Sequence, residues 1–544
     1  MKKKSMIFKG LVISLVLMAV TFYVWLPPLN PTSLVFWFWL WFTTIPLTLC
    51  VLVENISDFI SLKVKGTTVN NPTKLKKTKF SKFYGGLLAG SMVVVAVLYL
   101  FNTPFLHADE YANRIVFKDV DFDTVNEVDF NKTAIIDRAS TLVLGNRTLG
   151  QLPELISQFD VSEIYSQIAY QDTIIRVTPL DYNGIIKYFT NKSEGIPAYI
   201  TVSAISGKSE LVKLSDLGLD NMKYSVNAMF SKDRDRHLRF GYPFDIFGET
   251  NFEIDEQGVP YWVTPTLKFK GVNQKPMVEG VVVMNAIDGN MEKYLVGSIP
   301  EWVDRVYPTD LILTEVNQSG LYVHGIINSF FGQKDVYQAS DGYNYIELDE
   351  DIWVYTGITS ATSDQSNIGF VLINQRTHEA RKIMSAGAEE YSAMRSAEGK
   401  VQNLGYTSTF PLLINVAGRP TYLVSLKDSA GLVKMYAMID CEDYQQVITV
   451  NKEEGLEALK SQYIASMNLV DNGSMETKVI EIVEVNDVMI DGNTYVYFKD
   501  KNDMVYRCQV IVNEKILPFL KAGDRVEVTY SKGEINLIYE IEMK

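Results

Sequence analysis

Histidines, cysteines and clustered acids are the groups in this 544-residue chain whose chemistry is most specific. His107, His237, His324 and His378 show neither His-x-x-x-His nor His-Glu-x-x-His spacing, so they do not form the helical pair a zinc hydrolase uses. No Gly-x-Ser-x-Gly elbow occurs, and no serine nucleophile with a base and an orienting acid is predicted. The run Asp119, Asp121, Asp123, Glu127 and Asp129 offers hard oxygen ligands. A calcium-binding EF loop needs Gly at its sixth position and Glu at its twelfth, where this chain has Thr124 and Phe130. Alternation with Val120, Phe122 and Val125 predicts a half-exposed strand instead. The sequence thus predicts a chain that is not an enzyme, with no metal and no cofactor. The rival is a cell-wall hydrolase with paired carboxylates. Acids such as Asp349, Glu350, Asp351, Glu389 and Glu390 abound, but no pattern brings a particular pair together.

Five aromatics, Tyr199, Tyr261, Trp262, Trp353 and Tyr422, recur at one place in an internal repeat. Core packing is the first expectation for them, since large rings dominate small cores. A shared partner-binding groove for peptide or glycan is the second, and an exposed sheet edge also accepts an added strand. Of the three cysteines, Cys50 lies in an apolar run, while Cys441 and Cys508 fall in different predicted units. Two free thiols are expected there rather than a bridge.

The elements that must position these residues begin with three apolar runs. Spans are predicted at about 7–27, 33–53 and 84–102, near the ~20 residues that cross a bilayer. Pro27, Pro28 and Pro31 turn the first run directly into the second, which predicts a helical hairpin rather than a cleaved signal peptide. The loop 54–83 carries Lys63, Lys65, Lys74, Lys76, Lys77, Lys79 and Lys82. Such cations stay on the cytoplasmic side, so the amino terminus and this loop are expected inside and the rest outside. Positions 1–104 hold 11 Lys and 2 acids, net +9; the chain totals −14, so the remainder carries −23. An acidic exported region favours cationic partners and argues against nucleic acid, for which no recognition motif appears.

Beyond residue 105 the pattern is α+β. A phrase recurs: a strand entered through Gly-x-Pro and an aromatic, a second apolar strand, a polar turn, a third strand, then a helix. One copy runs Phe252–Ile254, Gly258-Val259-Pro260-Tyr261-Trp262, then Val281 to Asn285, the turn Asp288-Gly289-Asn290 and a helix over 299–306. A second uses Trp353-Val354-Tyr355, the strand 369–374, a turn at Arg376-Thr377-His378 and a helix over 388–397. A third uses Gly418-Arg419-Pro420, the strand 432–439 and a helix over 455–466. A fourth begins at Gly195-Ile196-Pro197 with Ser206-Gly207-Lys208 as its turn. A separate mixed unit is expected over 105–180, with a strand at 133–137 and a helix at 149–158. The repeats fill 181–310 and 311–470. Residues 475–544 are expected to form a small OB-like β-barrel, with turns at Asp491-Gly492 and Lys532-Gly533-Glu534.

Over residues 182–466 this pattern resembles PepSY-like domains, small sheet-plus-helix modules of bacterial envelopes. The whole chain also resembles multi-pass membrane proteins of Gram-positive bacteria and their phages that carry such modules. The resemblance implies antiparallel sheets with a covering helix and transfers no site residues. PepSY modules occur in propeptides of thermolysin-type metallopeptidases, so it also implies regulation of an extracellular peptidase. The function expected is a membrane-anchored extracytoplasmic binding or scaffold protein. Its expected partners are membrane lipid, another envelope protein or peptidase, or a second copy of itself. A subunit of a membrane complex is a further alternative.

Overall fold

The computed structural model describes residues 2–53, 79–122, 125, 127–130, 133–171, 173–348, 351–360, 363–385, 387–467, 469, 475–490, 493–531 and 535–544. Most of the lysine loop (54–78), Asp123, Asp349, Glu350, and the turns expected at 491–492 and 532–534 lie outside the described residues. The chain divides into two compact units: Met1–Asp119 with Lys132–Lys382, and Val120–Asn131 with Ile383–Lys544.

In the first unit, α1 (Lys2–Trp25) is followed by α2 (Leu34–Thr43), α3 (Ile45–Val53) and α4 (Lys79–Phe101). Among the described residues two stretches, Met6–Trp25 and Phe80–Phe101, are long and apolar enough to cross a membrane. The expected middle span is instead α2 and α3 meeting at 41°, which makes a third crossing only if the bent pair is one span. Pro46 explains the bend, because it lacks an N–H and crowds the carbonyl four residues earlier. Polar bonds tie these helices together: Trp39 Nε1 donates to Thr21 Oγ1 at 2.9 Å and Trp41 Nε1 to Ser91 Oγ at 3.2 Å. A Cβ on Gly10 would lie 2.9 Å from Cys50, so α1 and α3 need a small residue at their contact.

Four modules share one topology, each a helix, two short strands laid along one edge of a long strand, a second long strand and a third strand. After α5 (Pro104–Ala112) and β1 (Phe117–Asp119), the first module contains α6 (Arg138–Gly150), α7 (Pro153–Ile156), β2 (Phe159–Val161) and β3 (Ser166–Tyr170). It continues through β4 (Thr173–Tyr182), α8 (Gly184–Asn191), β5 (Ala198–Ser203) and β6 (Ser209–Lys213). The second has α9 (Arg234–Gly241), β7 (Ile246–Phe247), β8 (Asn251–Ile254), β9 (Pro260–Phe269), β10 (Pro276–Asn285) and β11 (Met291–Leu295). The third has α10 (Thr309–Leu321), α11 (Gly325–Ile327), β12 (Tyr337–Ala339), β13 (Asn344–Leu348), β14 (Asp351–Ser360), β15 (Ser363–Asn374) and β16 (Ala380–Ile383). Here β1 adds in parallel to β16.

The repeat is therefore framed differently from the sequence reading, since its helix precedes the strands. Gly195-Ile196-Pro197 enters the second long strand of its module, whereas Gly258-Val259-Pro260 enters the first of its own. The motif marks a strand entrance, where no ladder N–H is required, and not a fixed repeat position. The boundary expected near residue 180 falls inside β4, which pairs with β5 through Ile175↔Ser203 to Pro179↔Tyr199. Residues 133–137 form no strand; Asp137 caps α6 by accepting from Ser140 N at 2.9 Å. The helix expected over 149–158 is the end of α6 followed by α7.

The 299–306 segment is not helical. Val303 and Val306 are fully buried at helix-like spacing, yet the N–H groups of Asp304 and Arg305 bond to the Glu253 carboxylate rather than to the preceding turn.

The β9–β10 tip meets the ends of the apolar helices. Asn273 N donates to Thr32 O at 2.7 Å, and Tyr111 OH donates to Asn102 O at 2.6 Å. Arg236 Nε reaches Tyr23 O at 3.3 Å, Arg239 Nε reaches Leu26 O at 3.0 Å, and Leu29 N donates to Pro243 O at 2.8 Å. Behind them the buried Arg114 pairs with Glu315 at 2.7 Å, and His378 bonds the other oxygen of Glu315 at 2.7 Å.

The second unit holds the fourth module: β17 (Gly387–Ala388), α12 (Glu390–Lys400), β18 (Thr407–Ser408), β19 (Leu412–Val416), β20 (Arg419–Lys427), β21 (Val433–Asp440), β22 (Val447–Asn451) and α13 (Gly455–Met467). Then β23 (Met475–Ile490), β24 (Asn493–Asp500), β25 (Val505–Gln509), β26 (Arg525–Ser531) and β27 (Asn536–Met543) close in the order β23-β24-β25-β27-β26. Closure comes from a parallel β25–β27 pairing, around a core that includes Val496, Tyr506 and Val526.

Candidate binding cleft

The first, second and third modules converge on a cleft of about 310 Å³. The β3–β4 turn supplies Tyr170 and Gln171, the end of β8 supplies Ile254 and Glu256, and the non-helical segment supplies Glu301 and Trp302. Glu347 on β13 and Arg376 in the turn after β15 complete it. Glu256 and Glu301 are exposed, and Trp302 is half-buried against Tyr261, with ring centroids 4.9 Å apart. Arg376 donates to the Glu301 carbonyl at 2.8 Å and pairs with Asp351, whose second oxygen accepts from Asn374 Nδ2 at 2.7 Å. Three glutamates against one already paired arginine leave an acidic site walled by two aromatics.

Beneath it lies a layer of buried charge. Glu253 accepts from Asp304 N at 2.9 Å and Arg305 N at 3.3 Å, while Asp304 Oδ2 accepts from Ala169 N at 2.7 Å. Burial pushes Glu253 up to about 7, and burial with the neighbouring Glu253 charge holds Asp304 well above the usual carboxylate range. Arg305 lies over the Tyr345 ring at 4.7 Å and bonds its hydroxyl at 3.1 Å. These groups lock the second module to the first and third, so the cleft walls are held by buried side chains bonded to main-chain N–H groups and by the Arg305–Tyr345 pair.

The recurring aromatics scatter. Tyr199, Trp262, Trp353 and Tyr422 are at most 1% exposed and bond to main-chain oxygens of Gly258, Tyr224, Leu348 and Ala388 respectively. A ring with no exposed surface has nothing to offer a partner, whereas Tyr261 reaches the cleft through Trp302. Tyr199 lies on a second long strand and the others on first long strands, so they do not share one position.

Each histidine has a local partner: His107 with Glu110 at 3.0 Å, His237 with Gly289 O at 2.9 Å, His324 with Asp335 at 3.0 Å, and His378 with Glu315. Glu127 of the acidic run pairs with Lys460 at 2.9 Å, and among the described residues no three His, Cys, Asp or Glu side chains are grouped for a metal. Cys441 and Cys508 are free, buried thiols; burial raises both, Cys508 to about 12.

Sequence reasoning missed Glu256, Glu301, Trp302 and Arg376 because they come from segments up to 120 residues apart. The one local signal was Pro300-Glu301-Trp302, a proline ahead of a large ring in a polar stretch. No protein-family model matches this chain, and no curated protein matches it.

Proposed function

We propose that this is a membrane-anchored envelope protein whose exported modules bind a cationic, extended segment of a partner, without catalysing a reaction. The observation that carries this is the acidic, aromatic-walled cleft at the end of β8, at the opposite end of β9 from the tip that meets the apolar helices. Ten extended residues in β9 hold it about 30 Å from that tip, beyond the headgroups of an adjoining bilayer. The Lys-rich amino terminus and loop 54–83 support a cytoplasmic start, with several crossings and an extracytoplasmic bulk.

The four sheet modules support the PepSY-like reading, and with it a role in restraining an extracellular peptidase. Five strands closed through a parallel β25–β27 pairing support an OB-like barrel. For a hydrolase, Glu253 and Asp304 are the adjacent carboxylates, but both accept from backbone N–H groups and neither is exposed, which suits a structural joint.

The test is titration of the full chain in nanodiscs with trilysine by calorimetry. Binding is expected, weakened at least about tenfold by Glu256→Lys with Glu301→Lys, a loss of about 1.4 kcal/mol. Unchanged binding in that variant, or hydrolysis of cell-wall glycan abolished by a single carboxylate substitution, overturns the reading.

A further inference from the structure

We infer that the exported modules lie on the bilayer, with two exposed apolar patches seated in the lipid headgroup region on the side where α1 and α4 end. This rests on the proposed reading that α1 and α4 cross the membrane.

The first patch is built on α8. Its buried face is anchored by Tyr188, while Ile185, Ile186 and Phe189 are exposed, Ile186 by 76%. The Phe230 ring meets Phe189 at 6.5 Å, and the Phe230 carbonyl accepts from Arg236 Nη1 at 2.8 Å. Arg236 is the residue that reaches Tyr23 O at the end of α1, and its guanidinium lies 4.4 Å from the Tyr23 ring. Phe240 stacks edge-on against Phe22 at 5.5 Å yet stays more than half exposed. The patch is therefore continuous with the outer surface of α1, and it is placed at the level where that helix ends.

The second patch continues α4. Val97, Leu100 and Phe101 are exposed along that helix, and Phe105 and Leu106 extend the same apolar surface into α5. Packed against α5, α11 and the wide turn after it expose Ile327, Phe330 and Phe331, the last by 88%. Leaving large side chains in water costs ~25 cal/mol per Å² of apolar area, and two separate patches carry that cost at the same end of the helices. A helix with one apolar face and cationic flanks lies in the membrane interface. Lys187 and Lys192 on or beside α8, with Lys192 at 5.0 Å from the Phe189 ring, supply cations for anionic headgroups.

The occupant is thus a lipid surface, already adjacent to both patches through α1 and α4. Seating them would fix the cleft's orientation as well as its height.

The experiment uses the full chain with Cys50→Ala in nanodiscs of phosphatidylglycerol and phosphatidylcholine. Cys441 and Cys508 are buried, so only an introduced thiol takes a fluorescent label. Labels are placed singly at Phe189→Cys, Phe331→Cys, the far-end control Gln257→Cys, and Val93→Cys on the exposed face of α4. A phosphatidylcholine bearing a nitroxide high on its acyl chain is the quencher. Labels at 189 and 331 are expected to quench at least about threefold more than the label at 257, as interfacial side chains do. Quenching at 93 without quenching at 189 and 331 overturns this inference and leaves the anchor standing. No quenching at 93 removes the anchor itself, and the inference with it.

Discussion

Glu253 in the first unit and Asp440 in the second are both fully buried, yet they are pushed in opposite directions. Burial raises Glu253 to about 7 against the opposing pull of the nearby Arg305 charge, and among the described residues its oxygens accept from main-chain N–H groups alone. Burial would raise Asp440 too, but Arg419, the Asp443 N–H at 2.7 Å and the Tyr463 hydroxyl at 3.0 Å outweigh it and lower it. Depth alone therefore does not decide whether an acid stays ionised. A guanidinium in contact does, because it stabilises the charged form directly.

The largest expected break comes from Arg419→Ala, which strips the cation from a buried carboxylate. A loss of about 3 kcal/mol is expected, because the abandoned charge keeps its desolvation cost. Hydrogen exchange at the β20–β22 amides should accelerate accordingly; unchanged exchange would show that the backbone donors suffice.

Glu253→Gln is expected to cost ~1–3 kcal/mol, since an amide accepts through one oxygen and leaves either Asp304 N–H or Arg305 N–H unpaired. Its pH signature sharpens the comparison. A carboxyl raised from 4.5 to about 7 binds its proton more tightly when folded. Its contribution is complete below about 4.5 and is lost as pH rises through about 7. Asp440, lowered below 3.8, contributes above that value and loses its contribution as pH falls through its folded value. Protection factors, from which the intrinsic pH dependence of amide exchange is divided out, should therefore fall from pH 4 to 8 around β8 in the native chain and stay flat in Glu253→Gln.

Asp304→Asn is expected to do least, under about 1 kcal/mol, because burial and the neighbouring Glu253 favour the neutral carboxyl and an amide oxygen still accepts from Ala169 N–H. A pronounced loss on the same measurement would mean that Asp304 is ionised in the fold.

Legibility followed range along the chain. The hairpin turn Asp288-Gly289-Asn290 was readable because positive φ is a local demand: Gly289 has φ of 85°, and a Cβ there would lie 2.2 Å from Tyr224. The strands around Trp262, Trp353 and Tyr422 were readable from their apolar runs. The apolar helices were readable too, apart from the bend at Pro46. What failed was long-range. Val303 and Val306 mimic a helix, but Glu253 takes the N–H groups that a helix would have used. The unit boundary expected at 180 cut through β4 because its partner, β5, lies beyond an intervening helix. The cleft was not legible because its segments lie far apart in the chain and Pro300-Glu301-Trp302 is the one local cue among them.

By itself the sequence determined where the chain is apolar enough for lipid, that antiparallel strands repeat, and which turns join them, since hydropathy and φ preference act within a few residues. Only the tertiary structure decided which acids lie beside cations, which aromatics are sealed in cores, and that Trp302 meets Glu256, Glu301 and Glu347 in one cleft. Those outcomes depend on burial and on distances between segments far apart in the chain, and neither is written in local order.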